Sequence, residues 1–520
     1  MLSLIDAITI FVSLGLVIFA VLRASGKKAT GGEYFLAGRD LQWPFIGMSL
    51  FASNISAEHV IGLAGDGYRV GMVAGGFEWV GAYDLIILAS LFAPLYLRSK
   101  IFTIPEFLER RFGWSLRAFL SANLLVINVL TKNAIDIWAG SLLFSALFGW
   151  NQHAVMWVMS AFTALYTMKG GLRAVVYADM VQGTWLILSS AVLTLVGLTH
   201  VGGLHGLVLH AAPGALQMVK PLTHDFPITG FLIANLLSGM FYWCMDQTIV
   251  QRVLGARTIE HGQKGAIFAG FLKILPPFIL VLPGVMARIL YPGLARYDNA
   301  YPALVQGLLP VGLRGLVLAG LLAILMSSMS ACYNSSATLV VRDFVLRARP
   351  NTTEAQQVRW GRAVTIAMAV LGVLAAPLVG LSVSIWYYLQ NISAYLTVPM
   401  AAVIFIGLLW KRTNTIGAIA GFIVGFVCGI IFFLDQALNW SLPVLSQPIL
   451  HSFLHRALLA WIISALVVVG TSLMTAPPPP ERTQGTVFGK PGEAWKGFRD
   501  YRTWAVVLFF VICLMWWLFR

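Results

Sequence analysis

The chain has little charge. Of its 520 residues only 11% are Asp, Glu, Lys or Arg, while 58% are hydrophobic, a composition far outside that of soluble domains. Cysteine is scarce as well. Cys244, Cys332, Cys428 and Cys513 all fall in apolar stretches without metal-ligand spacing, so they read as small core residues and not as a disulfide frame. Short alternating apolar and polar segments are lacking, which excludes a transmembrane barrel. No GxxxxGK[ST] loop occurs, which argues against direct drive by a nucleotide. Long polar stretches are few: 203–227 and 476–500 are the longest, and neither is long enough to be an enzyme.

What the chain has in abundance is apolar runs of about twenty residues, each long enough to cross hydrocarbon. The expectation is an all-α polytopic membrane protein with about fourteen transmembrane helices. They are predicted near 4–23, 43–70, 76–97, 117–147, 152–168, 178–201, 229–251, 265–290, 312–342, 361–381, 385–409, 415–435, 453–475 and 502–519. The first run has no basic region before it and no small-residue cleavage site, so it reads as a retained helix.

The net charge of +14 is not a nucleic-acid signature, because Lys and Arg gather in alternate short loops. One set holds Arg23, Lys27, Lys28 and Arg39, then Arg98, Lys100, Arg110 and Arg111, then Lys169 and Arg173, and continues through Lys411, Arg412, Lys490 and Lys496. That bias puts these loops in the cytoplasm and both termini outside. Spans two to six and seven to eleven form two five-helix sets that start on opposite sides, the plan of an inverted repeat with its site between the halves. The expected division is a leading helix in 1–30, repeats in 31–204 and 229–412, an external loop in 205–228 and further helices in 413–520.

Polar residues interrupt this apolar background. Ala52 to Glu78 carries Asn54, Ser56, Glu58, His59, Asp66 and Glu78 among six glycines. Ionisable groups at membrane depth mark a substrate or ion path by default, and a small-residue helix-packing face is the alternative. Asp84, Lys132, Asp136, Asp179, Asp246 and Lys273 also lie in apolar spans, and each needs a partner or a water-filled cavity. Lys132 and Asp136, one turn apart, are expected to pair with each other. Lys273 has no acidic neighbour on its own helix, so it must meet a carboxylate on another helix or a polar ligand.

Between Leu322 and Thr338, hydroxyls recur at Ser327, Ser328, Ser330, Ser335, Ser336 and Thr338. They are either hard oxygen donors for Na+ or ordinary interhelical hydrogen-bonding groups. Asp179 is either a negative charge for that ion or a helix cap. Tyr242 and Trp243 adjoin Asp246, and Trp386, Tyr387 and Tyr388 precede Gln390. Such aromatics form an interfacial belt or stack on the C–H faces of a sugar ring while polar neighbours bond its hydroxyls. The mixture fits a neutral polyhydroxy solute better than an amino acid.

The motifs YFLAGR (Tyr34–Arg39), SNISAEH (Ser53–His59), GGFEW (Gly75–Trp79) and FTIPEFLERRFG (Phe102–Gly113) resemble those of the sodium:solute symporter family, in its sodium/glucose cotransporter branch. So do GGLRAVVYADMVQ (Gly170–Gln182), FYWCMDQTIVQR (Phe241–Arg252), FLKILPPFILVLPG (Phe271–Gly284), LRGLVLAGLLAILMSSMS (Leu313–Ser330), NSSAT (Asn334–Thr338) and LWKR (Leu409–Arg412). The resemblance implies a LeuT-like inverted-repeat core and sodium-driven uptake by alternating access. By it, Na+ is held by carbonyls of Ala52, Ile55 and Ile324 and hydroxyls of Ser327 and Ser328, with Asp179 close by. Sugar contacts fall to His59, Glu78, Lys273 and Gln390, with Tyr242 stacking as an inner gate beside Trp243. Leu63, Phe77 and Trp386 form an outer hydrophobic gate.

Three departures stand out. Gly81 and Gly239 replace polar sugar contacts, which is expected to widen the pocket or leave hydroxyls to water. Ala331 stands where a second-site hydroxyl follows Ser330, so one Na+ per sugar is expected. The reading is therefore a Na+-coupled importer of a monosaccharide or related polyol, with the bilayer and no nucleic acid or obligate protein as its surroundings. The alternatives are a symporter of the same family for another solute, a solute sensor, or a membrane-embedded enzyme, for which no nucleophile–base spacing emerges.

Overall fold

The computed structural model describes residues 4–24, 31–56, 58–380, 385–438, 440, 442–443, 445–450, 452–488 and 497–520. The basic residues Lys27, Lys28, Lys490 and Lys496 lie outside them, as do the side chains of Tyr387 and Tyr388. Within the described residues there are helices and no strands. Among the described residues nine helical segments are long and apolar enough to cross a membrane, among them Met72–Ser99, Leu313–Ala348 and Glu354–Val379. The other expected spans are helical too: the leading helix Leu4–Ala24, the segment 152–170, Ile385–Leu409, and two helices broken in the middle. Large apolar side chains such as Phe11, Leu195, Leu374 and Phe510 stay exposed on the outer surface, which suits hydrocarbon and not water.

The fifth and sixth spans are two helices, 152–170 and Gly171–His200, which meet at Gly171. The connection expected between them is reduced to that one non-helical residue (φ 55°, ψ −154°). Gly171 makes the turn at φ 55°, where an added side chain would collide with the Tyr34 carbonyl.

Two of the spans are broken helices. In the first, helix Trp43–Asn54 stops where Ile55 turns extended (φ −80°, ψ 120°), and the chain resumes as the π-helical turn Glu58–Leu63 and helix Ala64–Val70. In the second, Leu236–Cys244 stops at Met245, and Asp246 caps the next helix, Gln247–Leu254, by accepting from the Thr248 N–H at 2.7 Å. A third irregularity lies at Lys273, just before Pro276 and Pro277, which remove backbone donors and loosen the ladder. The long ninth span packs against the sixth, and Trp43–Asn54 lies between the sixth and eighth spans. All three interruptions consequently face one interior volume.

Candidate functional site

Each break frees backbone groups and lets a polar side chain turn inward. The result is a cavity of about 160 Å3 whose wall includes Asn54, His59, Glu78, Tyr242, Trp243, Lys273 and Gln390. It is smaller than the roughly 300–1,000 Å3 pockets that take drug-sized ligands, so it suits a small solute. Every expected solute contact is on this wall.

Lys273 is buried and donates to two acceptors on other helices, the Glu78 carboxylate and the Asn54 side-chain carbonyl. Its expected carboxylate partner is therefore Glu78. His59 lies between two acids, with Nε2 3.5 Å from Glu78 and Nδ1 3.6 Å from Glu58. The Tyr242 and Trp243 rings stand perpendicular at 5.2 Å, and the Lys273 ammonium is 5.1 Å from the Trp243 ring centre. Asn54 amide nitrogen donates to the Tyr242 hydroxyl at 3.1 Å. One side chain at the end of a broken helix thus holds both the lysine and the tyrosine.

Two expectations are corrected. Lys132 pairs with Asp246 on the seventh span at 2.6 Å, and not with Asp136 one turn away, because the break at Met245 swings that carboxylate toward it. The space beside Gly81 and Gly239 is not open. A side chain at Gly81 would press on the Trp243 indole, 2.9 Å from its nitrogen, and one at Gly239 would strike the Asp84 carboxylate.

The outer gate candidates divide. Phe77 and Trp386 line the cavity and meet edge to face at 5.6 Å, with Phe226, Phe231 and Phe453 packed on Phe77. Leu63 is fully buried in the same apolar cluster but is not part of the cavity wall.

Beneath the cavity, Asp179 is buried and accepts hydrogen bonds from Ser49, from Ser53 at 3.1 Å and from Ser327 at 2.6 Å. It is no helix cap, since it sits about two turns inside the helix that begins at Gly171. The buried Arg252 guanidinium lies 3.7 Å away and donates to Ser49 at 3.1 Å. Asp179 thereby ties the end of Trp43–Asn54 to the ninth span. At that end the ladder stops and its last carbonyls, from Ala52 to Ile55, lose their helical partners. Ile324 and Ser327 are buried on the facing helix, and Ser328 reaches the cavity wall. Among the described residues no group of three or more His, Cys, Asp or Glu side chains has the arrangement to hold a metal ion. The donors at hand are hydroxyls, helix-end carbonyls and one carboxylate, a hard-oxygen set that fits Na+ and not a transition metal.

The remaining serines serve packing. Ser335 accepts from Thr248 at 3.3 Å, Ser336 from Asn128 at 3.0 Å, and Thr338 from Gln251 at 2.7 Å. Ser330 bonds back to its own helix at Ser327. Sequence reasoning gave no role to Asn54, Ser49, Ser53 or Arg252. A signal existed, since Ser49 and Ser53 are one turn apart and repeat a hydroxyl on one face of an otherwise apolar helix.

Two solved structures share the fold. One is a Na+-coupled sialic acid symporter in a substrate-bound outward-open state, with a TM-score of 0.79 at 20% identity over 91% of this chain and 99% of that one. The other is Mhp1, a nucleobase-cation-symport-1 family transporter in a closed conformation, with a TM-score of 0.57 at 14% identity over 87% and 97%. The architecture is the LeuT-like fold that these two structures share. The sodium:solute symporter family model matches residues 34–425, and the chain belongs to that family. Similar proteins are the sodium/mannose cotransporter SLC5A10 of Bos taurus (36% identity, 89% of this chain and 84% of that protein) and the sodium/glucose cotransporter 4 of Danio rerio (34%, 89% and 77%). The sodium/myo-inositol cotransporter of Homo sapiens is 33% identical over 90% of this chain and 73% of that protein. The protein is thus a multi-pass membrane cotransporter with Na+ as its coupling ion, and not an enzyme.

Proposed function

We propose that the chain imports a monosaccharide or a closely related polyol, one Na+ per solute, by alternating access. The observation that carries this reading is the convergence on one small cavity of Lys273, Glu78, His59, Asn54 and Gln390 with Tyr242, Trp243 and Trp386. Paired donors and acceptors suit hydroxyl groups, and aromatic faces suit a sugar ring. The names of the relatives, cotransporters of mannose, glucose and myo-inositol, support the same solute class. An anionic solute fits poorly, because Glu58, Glu78, Asp84 and Asp246 outnumber Lys132 and Lys273 on the wall.

The ion site of the proposal consists of the carbonyls of Ala52, Ile55 and Ile324 and the hydroxyls of Ser327 and Ser328, with Asp179 adjacent. Na+ there fixes the end of Trp43–Asn54, and with it Asn54, which holds Lys273 and Tyr242. Ion binding so raises solute affinity, and linkage makes the effect mutual. Phe77 and Trp386, backed by Leu63, close the outer side, and Tyr242 closes the inner side. Ala331 gives no hydroxyl for a second ion. Repeats at 31–204 and 229–412 rock about this site between the leading helix in 1–30, the external loop in 205–228 and the helices in 413–520. The protein lies in a plasma or inner membrane, and the charge bias supports both termini outside.

The test is uptake of labelled monosaccharides, inositols and amino acids by proteoliposomes under an inward Na+ gradient. Accumulation of a sugar or polyol is expected. Accumulation of amino acids alone contradicts the solute class.

A further inference from the structure

Each acidic group on the cavity wall faces an ammonium or an imidazole, with one exception among the described residues. Glu78 has Lys273 and His59, Asp246 has Lys132, and Glu58 faces His59. Asp84 is 1% exposed, lines the cavity, and has no hydrogen-bond partner for either carboxylate oxygen among the described residues. A buried carboxylate without donors is costly, and native interiors rarely keep one without a use.

Its surroundings are shaped to admit it. Glu78, Gly81 and Asp84 follow at three-residue steps along one helix, so they form a slowly turning row on the cavity side. Opposite Asp84 the seventh span has Gly239, where any side chain would strike the carboxylate. Asn235 and Ser238 continue the same wall. A rise of about 1.5 Å per residue sets Asp84 roughly 9 Å along the helix from Glu78, at the other end of the cavity from the Lys273 contacts.

We propose that Asp84 is a solute-binding residue that determines specificity: its carboxylate accepts hydrogen bonds from donors at the end of the solute remote from Lys273 and Glu78. The donors are neighbouring hydroxyls of a polyol or the ammonium of an amino sugar. The assignment rests on the transport reading of the same cavity and sharpens it. A solute lacking donors at that end leaves the carboxylate bare and is rejected, since a site built to bond a polar group discriminates strongly against its absence.

The experiment measures Na+-driven uptake in proteoliposomes for the wild type, Asp84→Ala and Asp84→Asn, using the transported sugar or polyol, its single-deoxy analogues and its amino analogue. A hydrogen bond to a charged acceptor corresponds to about a ten- to hundredfold change in affinity. Wild-type protein is expected to lose that factor for one particular deoxy analogue. Asp84→Ala is expected to lose it for the parent solute and to transport parent and analogue alike, with half-saturating Na+ unchanged within about twofold. Preference for the amino analogue that vanishes in Asp84→Asn assigns the ammonium; equal handling assigns the hydroxyls.

Absence of Na+-driven uptake of every solute in the wild type overturns the transport reading, and this assignment with it. Transport in which Asp84→Ala weakens all analogues by one factor overturns the assignment alone. So does a shift confined to Na+ activation, or a loss of pH dependence with the analogue profile intact. A structural control uses Gly239→Ala, which is expected to impair transport and to be partly rescued by adding Asp84→Ala. Wild-type behaviour of Gly239→Ala alone means that the carboxylate lies elsewhere and also overturns the assignment.

Discussion

Lys273 and Glu78 form a buried pair on different helices, and removing one member of such a pair costs about 3–5 kcal/mol because the other is left uncompensated. Gln390 carries no such burden. Lys273→Gln and Gln390→Ala are each expected to raise the solute KM about tenfold or more, with half-saturating Na+ changed less than about twofold. Uptake titrated in both ligands checks this, and equal losses would make the two residues structural. Asp179→Asn is expected to act the other way, raising half-saturating Na+ while solute KM at saturating Na+ holds.

Outside the membrane, Asp298 between the eighth and ninth spans is 5% exposed, and burial raises its carboxyl to about 6, with Asp66 adding to the rise and Arg296 opposing it. The folded chain keeps that proton up to about pH 6, whereas an unfolded one releases it near pH 4. Between those values the native state holds more protons, so stability falls as pH rises through the window. Thermal unfolding in detergent is expected to show a higher midpoint at pH 5 than at pH 7, with a smaller difference in Asp298→Asn. An undiminished difference would remove Asp298 as its source. At this scale Lys273 was legible from sequence, since a lone lysine before two prolines must find a distant carboxylate. Lys132 was not. Its local partner Asp136 looked sufficient, while the true one, Asp246, is 114 residues away and reached only through a helix break.

Among the elements, the first broken helix was marked in the sequence by the polar residues and glycines after Ala52, whereas the second was marked only by Asp246 and Gln247 in an apolar run. Hydropathy set a connection around Gly171, and the chain does break there, at a single non-helical residue between two helices. Gly171→Ala meets both a left-handed φ and the Tyr34 backbone. The φ strain alone costs about 1–2 kcal/mol. A lowered thermal midpoint is expected, and an unchanged midpoint would show that the kink tolerates a side chain. The glycines at 81 and 239 were legible as missing polar contacts, but not as space already taken by Trp243 and Asp84. Sequence order says nothing of which neighbour moves into a gap.

For the whole molecule, hydropathy located the spans because a bilayer forces every crossing segment to satisfy its backbone internally. Charge in alternate loops supplied an orientation by an independent route. What ties the molecule together is Asn54. It lies at the end of the helix that Asp179 ties to Ser327, and it holds Lys273 and Tyr242 in the cavity wall. Coupling requires that both ligands depend on that one helix end. The most direct measurement is solute accumulation in proteoliposomes with an inward Na+ gradient, compared with an equal K+ gradient and with Ser327→Ala. The account predicts a transient rise above equilibrium with Na+ only, lost in Ser327→Ala while solute still equilibrates slowly. Equal accumulation in Na+ and K+, or an unaltered rise in Ser327→Ala, would contradict it.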